Sequence, residues 1–167
     1  MNNSVSILAA THKDIPVIND IAEKTWWPTY SPILSQEQIR YMLDTLYNAQ
    51  ALATSMQEGK QTYLVIYDNQ VAVGFASYGP RKEDPSIVKL YKIYVLPQTH
   101  GKGYGKKLIH EITSRLLNEG IHVLELNVNR YNKAKTFYEN LGFKVIREED
   151  IPIGPYWMND YVMQIRF

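Results

Sequence analysis

The segment Lys89–Leu108, KLYKIYVLPQTHGKGYGKKL, constrains this chain more than any other. Leu90, Ile93 and Val95 are apolar and Tyr91 and Tyr94 aromatic, residue types that fit a pleated strand. Pro97 ends that run. Gly101, Gly103 and Gly105 follow, interleaved with Lys102, Lys106 and Lys107, and from Gly103 onward the pattern is helical. A strand, a glycine-rich turn and a helix start in succession make a natural anion site. Glycine lets the backbone come close to a ligand, the first N–H groups of a helix lack partners within it, and the helix dipole favours negative charge there. The two common nucleotide patterns do not fit. A phosphate loop of the Gly-x4-Gly-Lys-Ser/Thr kind needs glycine where Lys106 stands, and so does a dinucleotide GxGxxG. This stretch alone leaves a ligand-free glycine turn and an anion cradle both open.

The rest of the composition narrows the choices. A chain of 167 residues is expected to form one domain, residues 1–167, with its own core. Its charges nearly balance at +1, which argues against nucleic-acid binding through a large basic field. The absence of cysteine rules out disulfides, thiolate metal sites and a cysteine nucleophile. His12, His100, His110 and His122 have no zinc-ligand spacing, so no metal is expected. The opening residues, MNNSVSILAATHKD, lack the basic segment and apolar run of a secretory signal, and no apolar stretch is long enough to cross a bilayer. A cytoplasmic protein that needs no membrane is expected.

Periodicity gives the order of elements. Val5–Ala9 reads as a strand, and Thr11 with Asp14 as a helix start before Ile15, Ile18, Ile21, Ala22 and Trp26 at helical spacing. Pro28 and Pro32 are expected to break that helix. Ser35 and Gln38 form a second capping pattern ahead of Ile39, Met42, Leu43, Leu46 and Tyr47, and a third helix spans 48–58. Strands are expected over 62–67 and 71–78 with a turn at Asp68-Asn69, then at the opening strand and, after a helix from about 103 to 119, over 122–128. A short helix over 132–140, a strand over 143–147, a proline-rich turn over 151–155 and a last strand over 156–167 complete the chain. The fold class is α/β: a mixed, mostly antiparallel central sheet flanked by helices, with parallel strands where helices cross over. Such sheets bind ligands beyond the carboxyl ends of strands, which is where the glycine turn lies.

Two segments taken together resemble the GCN5-related N-acetyltransferases. The first is Pro97, then Gln98, Gly101 and Gly103 in the pattern Arg/Gln-x-x-Gly-x-Gly/Ala; the second is Asn132, Ala134, Phe137, Tyr138, Gly142 and Phe143. The resemblance implies the acyl-CoA N-acyltransferase fold and acetyl-coenzyme A as cosubstrate. It implies that backbone N–H groups across His100, Gly101, Lys102, Gly103, Tyr104, Gly105 and Lys106 hold the pyrophosphate. The strand Ile93, Tyr94, Val95 would pair with the pantetheine arm, and the N–H near Val95 would polarise the thioester carbonyl. Tyr138 would stand near the coenzyme sulfur, as a hydrogen-bond donor to the developing thiolate. Asn132 would bond to the coenzyme arm or else cap its helix. The acceptor would lie among Trp26, Trp27, Tyr30, Tyr156, Trp157, Tyr161 and Asp160, where aromatic faces and an acid suit an ammonium. That acceptor is a small-molecule amine or a peptide amine; the tract from Thr25 to Leu43 is similar to polyamine-acetylating members. The general base stays unassigned among Tyr91, Glu125 and Asp160. A homodimer is possible. A non-catalytic module that binds acyl-coenzyme A on the same fold is the alternative reading.

Overall fold

The computed structural model describes residues 4–167; Met1–Asn3, where the segment weighed as a secretory signal begins, lie outside them. Strand β1 (Val5–Ala9) leads through a short 3-10 turn into helix α1 (Ile15–Tyr30), followed by α2 (Gln36–Leu46) and α3 (Ala49–Glu58). Strands β2 (Thr62–Asp68), β3 (Val71–Pro80) and β4 (Val88–Val95) come next, then α4 (Tyr104–Asn118), β5 (Val123–Asn129), α5 (Ala134–Asn140), β6 (Lys144–Ile153) and β7 (Tyr156–Arg166). They form a seven-stranded sheet in the order β1-β2-β3-β4-β5-β7-β6. Every pairing is antiparallel except β4 with β5. No helix among the described residues is long and apolar enough to cross a membrane.

Each face of the sheet carries its own core. Leu108, Ile109, Ile112 and Leu116 recur along one side of α4 and pack on Leu64, Ile66, Leu90, Leu124 and Leu126. On the other face, Ile18, Ile21 and Trp26 of α1 and Ile39, Met42 and Leu43 of α2 cover Val65, Phe75 and Met158. Both sets of spacings are the helical ones that bury one stripe.

Two boundaries differ from the sequence expectation. Pro28 does not break α1, which runs on to Tyr30. A proline there removes only the N–H that would reach the Lys24 carbonyl, and the ladder resumes beyond it, with Ser31 N–H donating to the Trp27 carbonyl at 2.9 Å. The break comes only at the turn over 31–33, and Tyr30 stays on the helix. The proline-rich turn over 151–155 shrinks to Gly154-Pro155, because Ile151, Pro152 and Ile153 pair with Met158, Trp157 and Tyr156. Strand β6 is an edge, where proline's missing donor is tolerated.

Candidate active site

The site is made by two strands that part. Strands β4 and β5 pair only through Val88–Leu124, Lys89–Glu125 and Leu90–Leu126. Beyond Leu90 they diverge, and a cleft of about 880 Å³ opens between them. The divergence coincides with a bulge. Ser77 of β3 faces Lys92 and Tyr78 faces Leu90, so Tyr91 is an extra residue in β4. The extra residue reverses the alternation of side chains. Val88 and Leu90 pack in the α4 core, whereas Tyr94, which would follow them on a regular strand, joins the α1 core instead.

Beyond the bulge one side of β4 still pairs with β3. Leu96 N–H donates to the Val73 carbonyl at 2.8 Å. Alternation therefore turns the N–H and C=O groups of Ile93 and Val95 away from β3 and into the cleft. His100 Nε2 lies 3.1 Å from the Val95 carbonyl on that side.

The glycine turn closes one end of the cleft. Gly101 and Gly103 sit at φ +90° and +80°, a backbone region that other residues enter only at a cost. Gly103 caps α4, and the helix has no side-chain cap. The N–H groups of Tyr104, Gly105 and Lys106 thus have no partner within the helix. The expected cradle is narrower than His100–Lys106, because His100 N–H donates to Pro97 and Lys102 N–H to Thr99. Lys102 lies outside the cleft lining. Tyr104 contributes backbone only, since its phenol bonds to Asp68. Gly105 allows α4 to approach α5: a Cβ there would stand 3.2 Å from the Phe137 ring.

Tyr138 forms part of the opposite wall, with Asn132, Ala134 and Phe137. Its ring is held edge-on by Phe137 and Phe143, at centroid distances of 5.3 and 5.8 Å. Burial, and secondarily Tyr30, pushes its hydroxyl pKa up, so the group is a neutral donor at physiological pH. Asn132 stands where the cleft meets the start of α5. Its Oδ1 accepts from Ala134 N–H at 2.9 Å at the start of α5, and the residue lines the cleft.

A second, smaller cavity of about 340 Å³ lies toward α1, α2 and β7. Tyr30, Leu90, Tyr91, Lys92, Tyr94 and Asn127 line both spaces. The Tyr30 and Tyr94 hydroxyls meet at 3.3 Å, inside an aromatic cluster with Trp26 and Tyr47. Burial raises both phenols well above the ordinary tyrosine range. Asp160 lines the second cavity. One of its oxygens accepts from Asn127 Nδ2 at 3.2 Å, and the other, Oδ1, is buried with no hydrogen-bond partner among the described residues. Burial raises its carboxyl pKa, with the Asn127 bond opposing.

Several residues expected at the acceptor lie elsewhere. Trp27 lines neither cavity and sits beneath the Arg40 guanidinium, 5.9 Å from its ring centroid. Tyr156 lines neither and packs on Tyr41 at 5.3 Å. Trp157 is solvent-exposed, and Tyr161 packs on the α4 side beneath Lys135. Trp26 is buried in the α1 core and reaches only the second cavity. Glu125 lies outside both cavities; Gln164 at 2.9 Å and Arg81 at 3.3 Å occupy its Oε1. Tyr91 donates its hydroxyl to the Pro80 carbonyl at 3.1 Å. Sequence reasoning missed Lys89, Lys92 and the Tyr94 side chain as lining groups, because only the bulge decides which way this strand faces.

The mixed sheet that opens beside a glycine-capped helix is a fold shared with N-acetyltransferases of known structure. The profile of the acetyltransferase (GNAT) domain matches residues 30–154, and the chain belongs to that family of N-acetyltransferases. It is 28% identical over 144 residues to an N-acetyltransferase of Mycobacterium tuberculosis, covering 86% of this chain and 91% of the relative. It is 25% identical over 147 residues to the spermidine N(1)-acetyltransferase of Thermoplasma acidophilum, 85% of this chain and 89% of that one. The crystal structure of the PaiA N-acetyltransferase of Thermoplasma acidophilum with coenzyme A superposes with a TM-score of 0.83 at 25% identity, over 98% and 99% of the two chains.

Proposed function

We propose that residues 1–167 work as one acetyltransferase domain that moves the acetyl group of acetyl-coenzyme A directly to a primary amine. The observation that carries this reading is the Ile93 backbone and the Val95 N–H, turned away from β3 and unpaired by β5, running up to the N–H groups of Tyr104, Gly105 and Lys106 that lack partners within the helix. Such an arrangement suits a ligand with an amide-bearing arm and a pyrophosphate: the arm adds to the strand and the anion meets the helix start. Support also comes from the coenzyme A bound in the PaiA neighbour. The proposal places the protein in the cytoplasm, where that cosubstrate is found.

In this reading Val95 N–H donates to the thioester carbonyl as negative charge develops on it. One preorganised donor of this kind is worth roughly 3–4 kcal/mol in other enzymes. The absence of any cysteine leaves no thiol to carry the acetyl group, which supports direct transfer. Tyr138 donates a hydrogen bond to the departing sulfur. Full proton transfer is disfavoured, because a tyrosine of pKa about 10 exceeds a thiol of about 8.5 even before burial raises it further. The amine, with a pKa of about 10 and mostly protonated at neutral pH, must lose a proton before attack. Of the three candidate bases only Asp160 both lines a cavity and keeps a carboxylate oxygen without a hydrogen-bond partner among the described residues, and its raised pKa suits it to accept that proton.

Calorimetric titration with acetyl-coenzyme A tests the reading, with saturable micromolar binding expected. Absence of binding, or binding without thiol release on any amine, would overturn it; the second result would favour the non-catalytic acyl-coenzyme A module.

A further inference from the structure

We propose that the acceptor carries an anionic group near its amine, as an amino acid does, with the amine on Asp160 and the anion on Lys89. The inference rests on the transferase reading and names the substrate class for the second cavity.

Three observations carry it. Asp160 is 6% exposed, and its Oδ1 ends in the protein without a partner among the described residues. A buried carboxylate oxygen of this kind calls for a donor that the described residues do not supply, and the cavity that Asp160 lines is where a ligand can bring one. Lys89, also on the cavity wall, is half-buried with its ammonium over the Tyr91 ring, 5.3 Å from the centroid. None of Glu125, Asp160 and Glu149 lies within ion-pairing distance of it. Two of these acids are already committed: Glu125 to Arg81 at 3.3 Å and Arg147 at 3.8 Å, and Glu149 to Arg147 at 3.2 Å. Lys92 adds a second ammonium to the wall, 3.2 Å from Gln61 Oε1 and from the Tyr63 hydroxyl.

The cavity therefore presents two ammonium groups and one carboxylate. A polyamine, positively charged along its length, would bring further cations against Lys89 and Lys92. A molecule with one amine and one carboxylate or phosphate meets Asp160 with the first and Lys89 with the second. The acceptor class thereby differs from the spermidine that names one relative.

The test uses the whole chain with acetyl-coenzyme A and reads thiol release together with the mass of the acetylated product. The panel is the ω-amino acids from glycine upward, the unsubstituted alkylamine of matching length for each, and spermidine. The best amino acid is expected to exceed its matched alkylamine in kcat/KM by about tenfold or more, the size of one hydrogen bond to a charged group. Lys89→Met is expected to bring that ratio toward one and Lys89→Arg to keep most of it; any loss of folded protein cancels in the ratio. Preference for spermidine or the alkylamines, or a ratio indifferent to Lys89→Met, overturns the inference and leaves the transferase reading standing. Turnover of no amine overturns both.

Discussion

Replacing Tyr138 by phenylalanine takes one oxygen from the cleft wall and leaves the packing in place. The ring is 7% exposed and held by Phe137 and Phe143, contacts that phenylalanine preserves. Only burial and the neighbouring Tyr30 bear on its hydroxyl pKa, and no protein hydrogen bond among the described residues does. The folded protein thus loses no internal bond, and stability should change by less than about 0.5 kcal/mol. The loss falls on the reaction. A hydrogen bond to a charged partner contributes about 1.5–3 kcal/mol, and here the charge appears only as the sulfur departs. Turnover should then fall roughly 10- to 150-fold. Coenzyme affinity should hardly move, since the ground-state thioester sulfur is a weak acceptor. Three measurements on one preparation separate these effects: thiol release at saturating substrate, calorimetric binding of acetyl-coenzyme A, and thermal unfolding. A kcat within twofold of the parent removes Tyr138 from the mechanism. An affinity loss as large as the loss in kcat makes it a binding residue and refutes the reasoning equally.

Asp160→Asn links the site to stability. A carboxyl whose pKa is raised by burial costs the fold nothing below its unfolded value, and the penalty grows as pH rises through the folded one. The variant should therefore gain thermal stability relative to the parent at about pH 8 and lose that advantage near pH 4, while turnover drops; an equal difference at both pH values would contradict the burial argument. Glu125→Gln should lower stability by about 1.5–3 kcal/mol by weakening the contacts to Arg81, Arg147 and Gln164. The kcat of its folded fraction should match the parent, and a tenfold drop would restore Glu125 as a base. Gly103→Ala places a side chain at φ +80° with open space around it, so strain alone acts, about 1–2 kcal/mol. Calorimetry and thermal unfolding should together account for that cost; no change in either would mean the turn is not held in this conformation.

The local patterns of the chain determined most of its elements and the place of the proposed donor site. The β-favouring residues of Val88–Val95, the glycines at 101 and 103 and the apolar stripe of α4 are all local, and short-range backbone preferences suffice to form a strand, a left-handed turn and a helix start without a side-chain cap. The same holds for Asn132, whose side chain meets the backbone two residues on. Pairing and facing depended on distant partners. Nothing in KLYKIYV marks Tyr91 as a bulge; only the register against Ser77 and Tyr78 does. That single extra residue sends Tyr94 toward Tyr30, and with Lys89 and Lys92 it lines the second cavity. Trp27 and Tyr156 carried the right chemistry in the sequence, and the packing of Arg40 and Tyr41 turned them elsewhere. The proposed donor site was legible because its groups are backbone atoms placed by local turns. The second cavity was not, because its side chains converge from α1, β4, β5 and β7, and a one-residue shift in strand register reverses which of them face inward.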